Sequence, residues 1–146
     1  MEETTEDEMI ERFSVQPGDL YRLISTSRWL LHASHELASL FKHKDLLSPL
    51  AKLTVRIEKG VKPELLPLVK LEGIGRARAR VLYNSGLRSV DDVKRAPLQK
   101  LTGLPLIGPR LAQKIKEQVG GYVKADEWQN LKKRKETEQQ RALTEY

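Results

Sequence analysis

Apolar positions along this chain recur at helical spacing, and the strict alternation of a half-buried strand is absent. Thr5 followed three residues later by Glu8 predicts a capping box for a short acidic helix, roughly 6–13. Gln16-Pro17-Gly18-Asp19 then breaks the pattern. A long helix is expected over roughly 19–43, with Leu20, Leu23, Ile24, Leu30, Leu31, Leu37, Ala38 and Phe41 on one buried stripe. Ser48-Pro49 has the form of an N-cap with proline in the first turn, opening a third helix that closes at Gly60. Leu50, Leu53, Thr54 and Ile57 would set its inner face. Residues 1–60 thus predict a helical bundle fragment.

Beyond Gly60 the pattern changes to short helices punctuated by Gly and Pro, and it repeats. Gly73-Ile74-Gly75-Arg76-Ala77-Arg78-Ala79 opens one helix, and Leu106-Ile107-Gly108-Pro109-Arg110-Leu111-Ala112 opens another, with Gly75 and Gly108 33 residues apart. Apolar segments precede each unit: Leu65, Leu66, Leu68 and Val69, then Leu98 and Leu101. Each copy resembles a helix-hairpin-helix motif. The expected architecture is all-α: a helical fragment, 1–60, a two-copy helix-hairpin-helix module, 61–120, and a polar tail, 121–146, helical in part.

Composition supports packed helices. Only 5% of the 146 residues are aromatic, so the core must come from Leu, Ile, Val and Ala. The absence of Cys excludes disulfides, thiolate metal sites and a cysteine nucleophile. An acidic start and no apolar run near the ~18 residues of a membrane span lead to the expectation of a cytoplasmic, nucleoid-associated chain with no membrane partner. Charge is uneven. Residues 1–60 carry 8 basic and 10 acidic side chains, whereas 61–146 carry 18 and 10, a net of +8 within a total of +6. A polyanionic partner would suit that half.

The candidate chemistry follows the charge. A Gly-x-Gly corner lets amide donors face a phosphate beside the positive end of a helix dipole. Gly73, Ile74 and Gly75 form the better corner; the second, ending at Gly108, has Leu106 where the first glycine is expected. Arg76 and Arg80 share a helix face, with Arg78 on the opposite side, and Arg110 and Lys114 repeat the i,i+4 spacing. In the long helix, at ~100° per residue from Leu20, the apolar stripe centres near about 330° while Trp29 and Arg22 fall near about 180° and 200°. An outward Trp beside an Arg suits base stacking with phosphate contact, although Glu36 on that face opposes it. The plainer alternatives are a tight helical connection, a solvated basic surface and a Trp29 buried against another domain. His32 and His35 have no third ligand in view, so no metal is expected. At the C-terminal end Gln140, Leu143 and Tyr146 have the spacing of sliding-clamp-binding peptides, and Lys132-Lys133-Arg134-Lys135 suits an electrostatic tether.

Across residues 6–120 the chain resembles the C-terminal end of an archaeal DNA repair helicase of the Holliday-junction-migration (Hjm/HelQ) type, a Ski-like superfamily 2 enzyme. The resemblance rests on Pro17-Gly18-Asp19-Leu20, Trp29-Leu30-Leu31, Gly60-Val61-Lys62, Glu64-Leu65-Leu66 and the run from Gly73 to Arg80. It implies that the long helix is the end of a ratchet domain, touching single-stranded DNA through Arg22 and Trp29. It also implies that 61–120 binds the emerging 3′ strand through Arg76, Arg78 and Arg80 and restrains the upstream motor domains. No Gly-x-x-x-x-Gly-Lys-Ser/Thr loop or acidic magnesium box occurs, so ATP and Mg would belong to a parent enzyme and not to this stretch. The expected function is non-sequence-specific binding of single-stranded or forked DNA, as part of an ATP-dependent 3′→5′ helicase in fork repair and recombination. Two rivals are a protein-interaction or motor-docking module, and a base-excision glycosylase or lyase. The second is disfavoured because Arg110 follows Gly108-Pro109 and the next Asp is Asp126.

Overall fold

A computed structural model describes residues 6–120. Among them it contains helices and turns and no strand: α1 (Glu6–Phe13), α2 (Pro17–Leu40), α3 (Lys44–Lys59), a 3₁₀ turn (Pro63–Leu65), α4 (Arg76–Asn84), α5 (Val90–Arg95), α6 (Leu98–Thr102) and α7 (Pro109–Gln118). The chain divides into two compact units between Leu66 and Pro67, a few residues beyond the boundary expected at 60/61. Thr5 and the whole tail, including Gln140, Leu143, Tyr146 and the Lys132–Lys135 run, lie outside the described residues.

In the first unit α2 and α3 form an antiparallel helical hairpin. The segment expected to break the chain instead builds the first turn of α2. Gln16 caps it, Pro17 fills the first position where its missing N–H is not needed, and the Asp19 and Leu20 amides bond to the Gln16 carbonyl at 2.9 and 3.1 Å. The helix ends at Leu40, not 43, because Lys42 turns left-handed (φ 61°) and donates its amide to the Ser39 carbonyl, while His43 donates to Ala38 at 2.8 Å. This is a Schellman stop with lysine where glycine is usual. A second correction concerns α3, which starts at Lys44 and carries Ser48 and Pro49 inside it. The extra turn half-buries Leu47, and the proline removes only the bond its N–H would have made to the Asp45 carbonyl. Gly60 closes α3 as expected, left-handed at φ 63°.

The predicted stripe of α2 splits in two. Leu20, Ile24 and Leu31 are half-buried and Ala38 is buried, but Leu23, Leu30 and Leu37 lie more than half exposed on a row of their own with Phe41. The eight positions span more arc than one partner helix covers, so α3 shields one edge and leaves the other.

The second unit repeats itself in backbone detail. Gly73 (φ 82°) and Leu106 (φ 64°) hold matching left-handed positions; the Ile74 and Ile107 amides donate to the carbonyls of Leu71 and Leu104; Gly75 and Gly108 cap α4 and α7. Ala79 and Ala112 each donate to their capping glycine at 2.9 Å and are fully buried, which lets the paired helices sit close. The copies differ in their lead-in: turns over residues 67–73 in the first, helix α6 in the second. Leu68, Leu82, Leu98, Leu101 and Ile115 form the centre of the core. Lys116 is buried at 3% exposure, its Nζ donating to the Lys94 carbonyl in the last turn of α5 at 2.7 Å.

Candidate nucleic-acid interface

At each corner the isoleucine points in and the glycines stay out. Ile74 and Ile107 are buried, whereas Gly73, Gly75 and Gly108 are exposed. Gly73 is required by the fold: its φ is 82°, and a Cβ there would come within 2.7 Å of Leu111 Cδ1 on α7. Gly75 and Gly108 are not so constrained. Both have ordinary extended angles, and a Cβ on either would meet nothing within 4 Å. What glycine provides there is open access to the backbone. Neither capping glycine has a side chain to cap α4 or α7, and helical geometry leaves the amides of Ala77 and Arg78 in α4, and of Arg110 and Leu111 in α7, without an intrahelical acceptor, Pro109 having no N–H to offer. Each corner therefore offers uncapped donors at the positive end of a helix dipole.

The basic residues around the corners fall into different environments. Arg76 and Arg80 are half-buried. Arg78 is exposed but engaged: Nη1 donates to the Gly73 carbonyl and Nε to the Leu106 carbonyl, both at 2.9 Å. Arg80 and Arg88 both lie over the Tyr83 ring, 5.4 and 5.2 Å from its centroid. Lys114 is paired with Glu72, whose amide and carbonyl are held by Gln118. Arg110 is exposed at the start of α7. The 33-residue offset pairs Arg76 and Arg80 with Pro109 and Gln113, so Arg110 and Lys114 sit one position around the helix and do not repeat the first pair. Tyr83 and Arg88 were missed from sequence because their signal is a ring between two cations from separate segments.

On α2 the Trp29 and Arg22 side chains do point outward, with Trp29 68% exposed and Arg22 near Asp19 at 3.8 Å. Trp29 forms the wall of an open groove of about 380 Å³, with Ser25, Arg28 and His32 beside it on α2 and Thr54 and Glu58 opposite on α3. Arg28 and His32 were not singled out as a binding face from the sequence; their own i,i+4 spacing, with His32 at i+3 from Trp29, was the available signal. His35 lies 3.6 Å from Glu36, and no cluster of metal-binding side chains occurs among the described residues. No helix among them is long and apolar enough to cross a membrane.

Paired glycine corners, buried alanines and uncapped second helices make the second unit a tandem helix-hairpin-helix domain behind a helical domain. Comparison with known families agrees in both halves: residues 1–60 match the family described as archaeal helicase, domain 4, and residues 65–120 the SAM-like helix-hairpin-helix tandem. Proteins named ATP-dependent DNA helicase Hel308 are similar over most of the chain. The one from Pyrococcus horikoshii is 38% identical over 84% of this chain and 17% of its own length. The one from Thermococcus kodakarensis is 42% identical over 91% and 12%, and that from Aeropyrum pernix 39% over 87% and 17%. These similarities fit the C-terminal part of an archaeal helicase of this type. It spans less than a fifth of the length of those relatives.

Proposed function

We propose that this chain binds the sugar–phosphate backbone of single-stranded or forked DNA, without sequence preference, as the C-terminal part of an ATP-dependent 3′→5′ helicase in fork repair and recombination. The observation that carries the proposal is the pair of open glycine corners, Gly75 and Gly108, where the fold leaves glycine unconstrained and helix amides uncapped. Phosphate contacts of this kind position a strand without reading its bases. Arg76, Arg80 and Arg110 supply charge around the corners, and on α2 Trp29 stacks a base while Arg22 and Arg28 meet phosphates. ATP and Mg act in the motor domains upstream, which are also the protein partner. The exposed row Leu23, Leu30, Leu37 supports that partner by giving it an apolar face to cover. A sliding clamp at Gln140, Leu143 and Tyr146 and a nucleoid-associated cytoplasmic location complete the proposal.

Titration of a labelled single-stranded oligonucleotide at several salt concentrations tests it. The logarithm of affinity should fall linearly with the logarithm of salt, by about 0.7 for each phosphate neutralised. Arg22→Ala and Arg110→Ala should each flatten the slope by about that amount. Salt-independent association, with slopes unchanged in both variants, would favour a docking module.

A further inference from the structure

We infer that Arg78 is a positioning residue: it brackets the two glycine corners and sets their spacing, and it does not itself contact phosphate. The inference rests on the DNA-binding proposal above and assigns this arginine a role different from that of its neighbours. Its guanidinium bonds the carbonyls of the two left-handed corner residues, Gly73 and Leu106, one from each copy. The internal symmetry gives this contact meaning. Position 78 corresponds to position 111 in the second copy. Leu111 packs on Gly73, the opposite corner, as Arg78 bonds to Leu106. Each second helix thus reaches across to the other hairpin, once through an apolar contact and once through hydrogen bonds.

The polar version sits where it is needed. Gly73 adopts its left-handed angle freely, whereas Leu106 is a branched residue in a conformation L side chains disfavour, with 60% of it exposed and little packing to hold it there. The bond from Arg78 Nε fixes the Leu106 carbonyl and with it the turn leading into Gly108. Two of the five donor hydrogens of the guanidinium are used in this way, in a fork that a phosphate would otherwise take.

The full 146-residue chain tests the bracket in two arms. Gln carries its Nε2 the same number of bonds from Cα as Arg Nε, so Arg78→Gln can keep the Leu106 bond while losing the charge. In the first arm, single-stranded oligonucleotide binding is measured against salt for wild type, Arg78→Ala and Arg78→Gln. Arg78→Ala should bind about fivefold to tenfold more weakly with an unchanged salt slope, and Arg78→Gln should recover to within about twofold of wild type. A slope flattened by about 0.7 in both variants, with no rescue by Gln, would mean direct phosphate contact and overturn the bracket. In the second arm, without DNA, the NMR amide signal of Ile107 should move in Arg78→Ala and return toward its wild-type position in Arg78→Gln. An Ile107 signal indifferent to both changes overturns the bracket as well. Absence of DNA binding by the wild type would sink the proposed function alone, since the second arm still decides the bracket.

Discussion

Residues 6–60 and 67–120 are both helical, yet they hold their helices by opposite means. Among the described side chains of α1, α2 and α3 only Ala38 is buried, and the 24-residue α2 with its C-cap Phe41 presents Leu23, Leu30, Leu37, Leu40 and Phe41 to solvent. In the second region no helix exceeds 10 residues, but Leu82, Leu98, Leu101 and Ile115 are all sealed. Helices that short are unstable alone and persist because packing stabilises them. Helix length and core quality are therefore decoupled here: the long helices retain unsatisfied apolar surface, while the short ones have spent theirs on each other. Charge divides in the same way. Residues 6–60 carry 8 basic and 8 acidic side chains, and 67–120 carry 11 and 4. The compact region is also the one suited to a polyanion.

The largest expected effect breaks the comparison most directly. Leu101→Ala opens a cavity in the second region's core and should destabilise it by about 2–5 kcal/mol. Leu30→Ala, on a side chain 52% exposed, should change stability by less than about 0.5 kcal/mol. Urea unfolding of the full chain followed by circular dichroism measures both. Equal losses would show that α2 already has a partner covering its outer row.

On the DNA side the first region should add base stacking to the phosphate contacts of Arg22 and Arg28, whereas the second should contribute through charge alone. Trp29→Ala should weaken single-stranded binding by about 1–3 kcal/mol while leaving the salt slope intact. Anisotropy of a labelled oligonucleotide is the measurement of choice, since Trp128 would confuse intrinsic fluorescence. An unchanged affinity, or a loss accompanied by a flattened slope, would show that Trp29 does not act by stacking.

A smaller effect separates two glycines within one corner. Gly73→Ala forces a side chain into a left-handed angle against Leu111 and should cost about 1–2 kcal/mol of stability. Gly75→Ala meets open space at an ordinary angle, so thermal denaturation should show a loss of only a few tenths of a kcal/mol while DNA binding weakens. If the two glycines behave alike in stability, access is not what glycine supplies at position 75.

These contrasts also mark how far the sequence could be read. The repeat was legible because Ile-Gly with an Ala four residues on recurs at one offset, which also put Leu106 at the position of Gly73; that the leucine keeps the left-handed angle was not legible. The outward Trp29 was legible from helical phase. Bonds that cross between segments were not: nothing local marks Arg78 for a carbonyl 28 residues away, or Lys116 for burial under the end of α5. The start of α3 was misplaced because Ser48-Pro49 fits a local start pattern, while the actual start was decided by how the chain leaves the Schellman turn at Lys42. The α2 stripe was drawn too wide because hydropathy records which residues can be buried, not how much partner surface exists to bury them.

The smallest effect lies in α5, which connects the two corner copies and has a cap whose strength depends on protonation. Ser89-x-x-Asp92 forms a capping box: the Asp92 amide donates to Ser89 Oγ, and the Ser89 and Arg88 amides donate to Asp92 Oδ2 at 3.0 and 3.2 Å. Hydrogen bonding from the Ser89 side chain, with smaller contributions from the two amides and the Arg95 charge, outweighs desolvation and holds the Asp92 carboxyl below its ordinary value. A carboxyl lowered by folding stabilises the fold above its unfolded pKa, near about 3.9, and that contribution disappears as pH falls through the folded value. Wild type should therefore exceed Asp92→Asn in stability by a constant margin between about pH 5 and 8, and the margin should shrink below about pH 4. The first unit has no such box among its described caps, so its own unfolding should lack this step. Chemical denaturation at a series of pH values measures the difference, and a margin that persists undiminished at about pH 2 would show that the cap does not depend on the charge of Asp92.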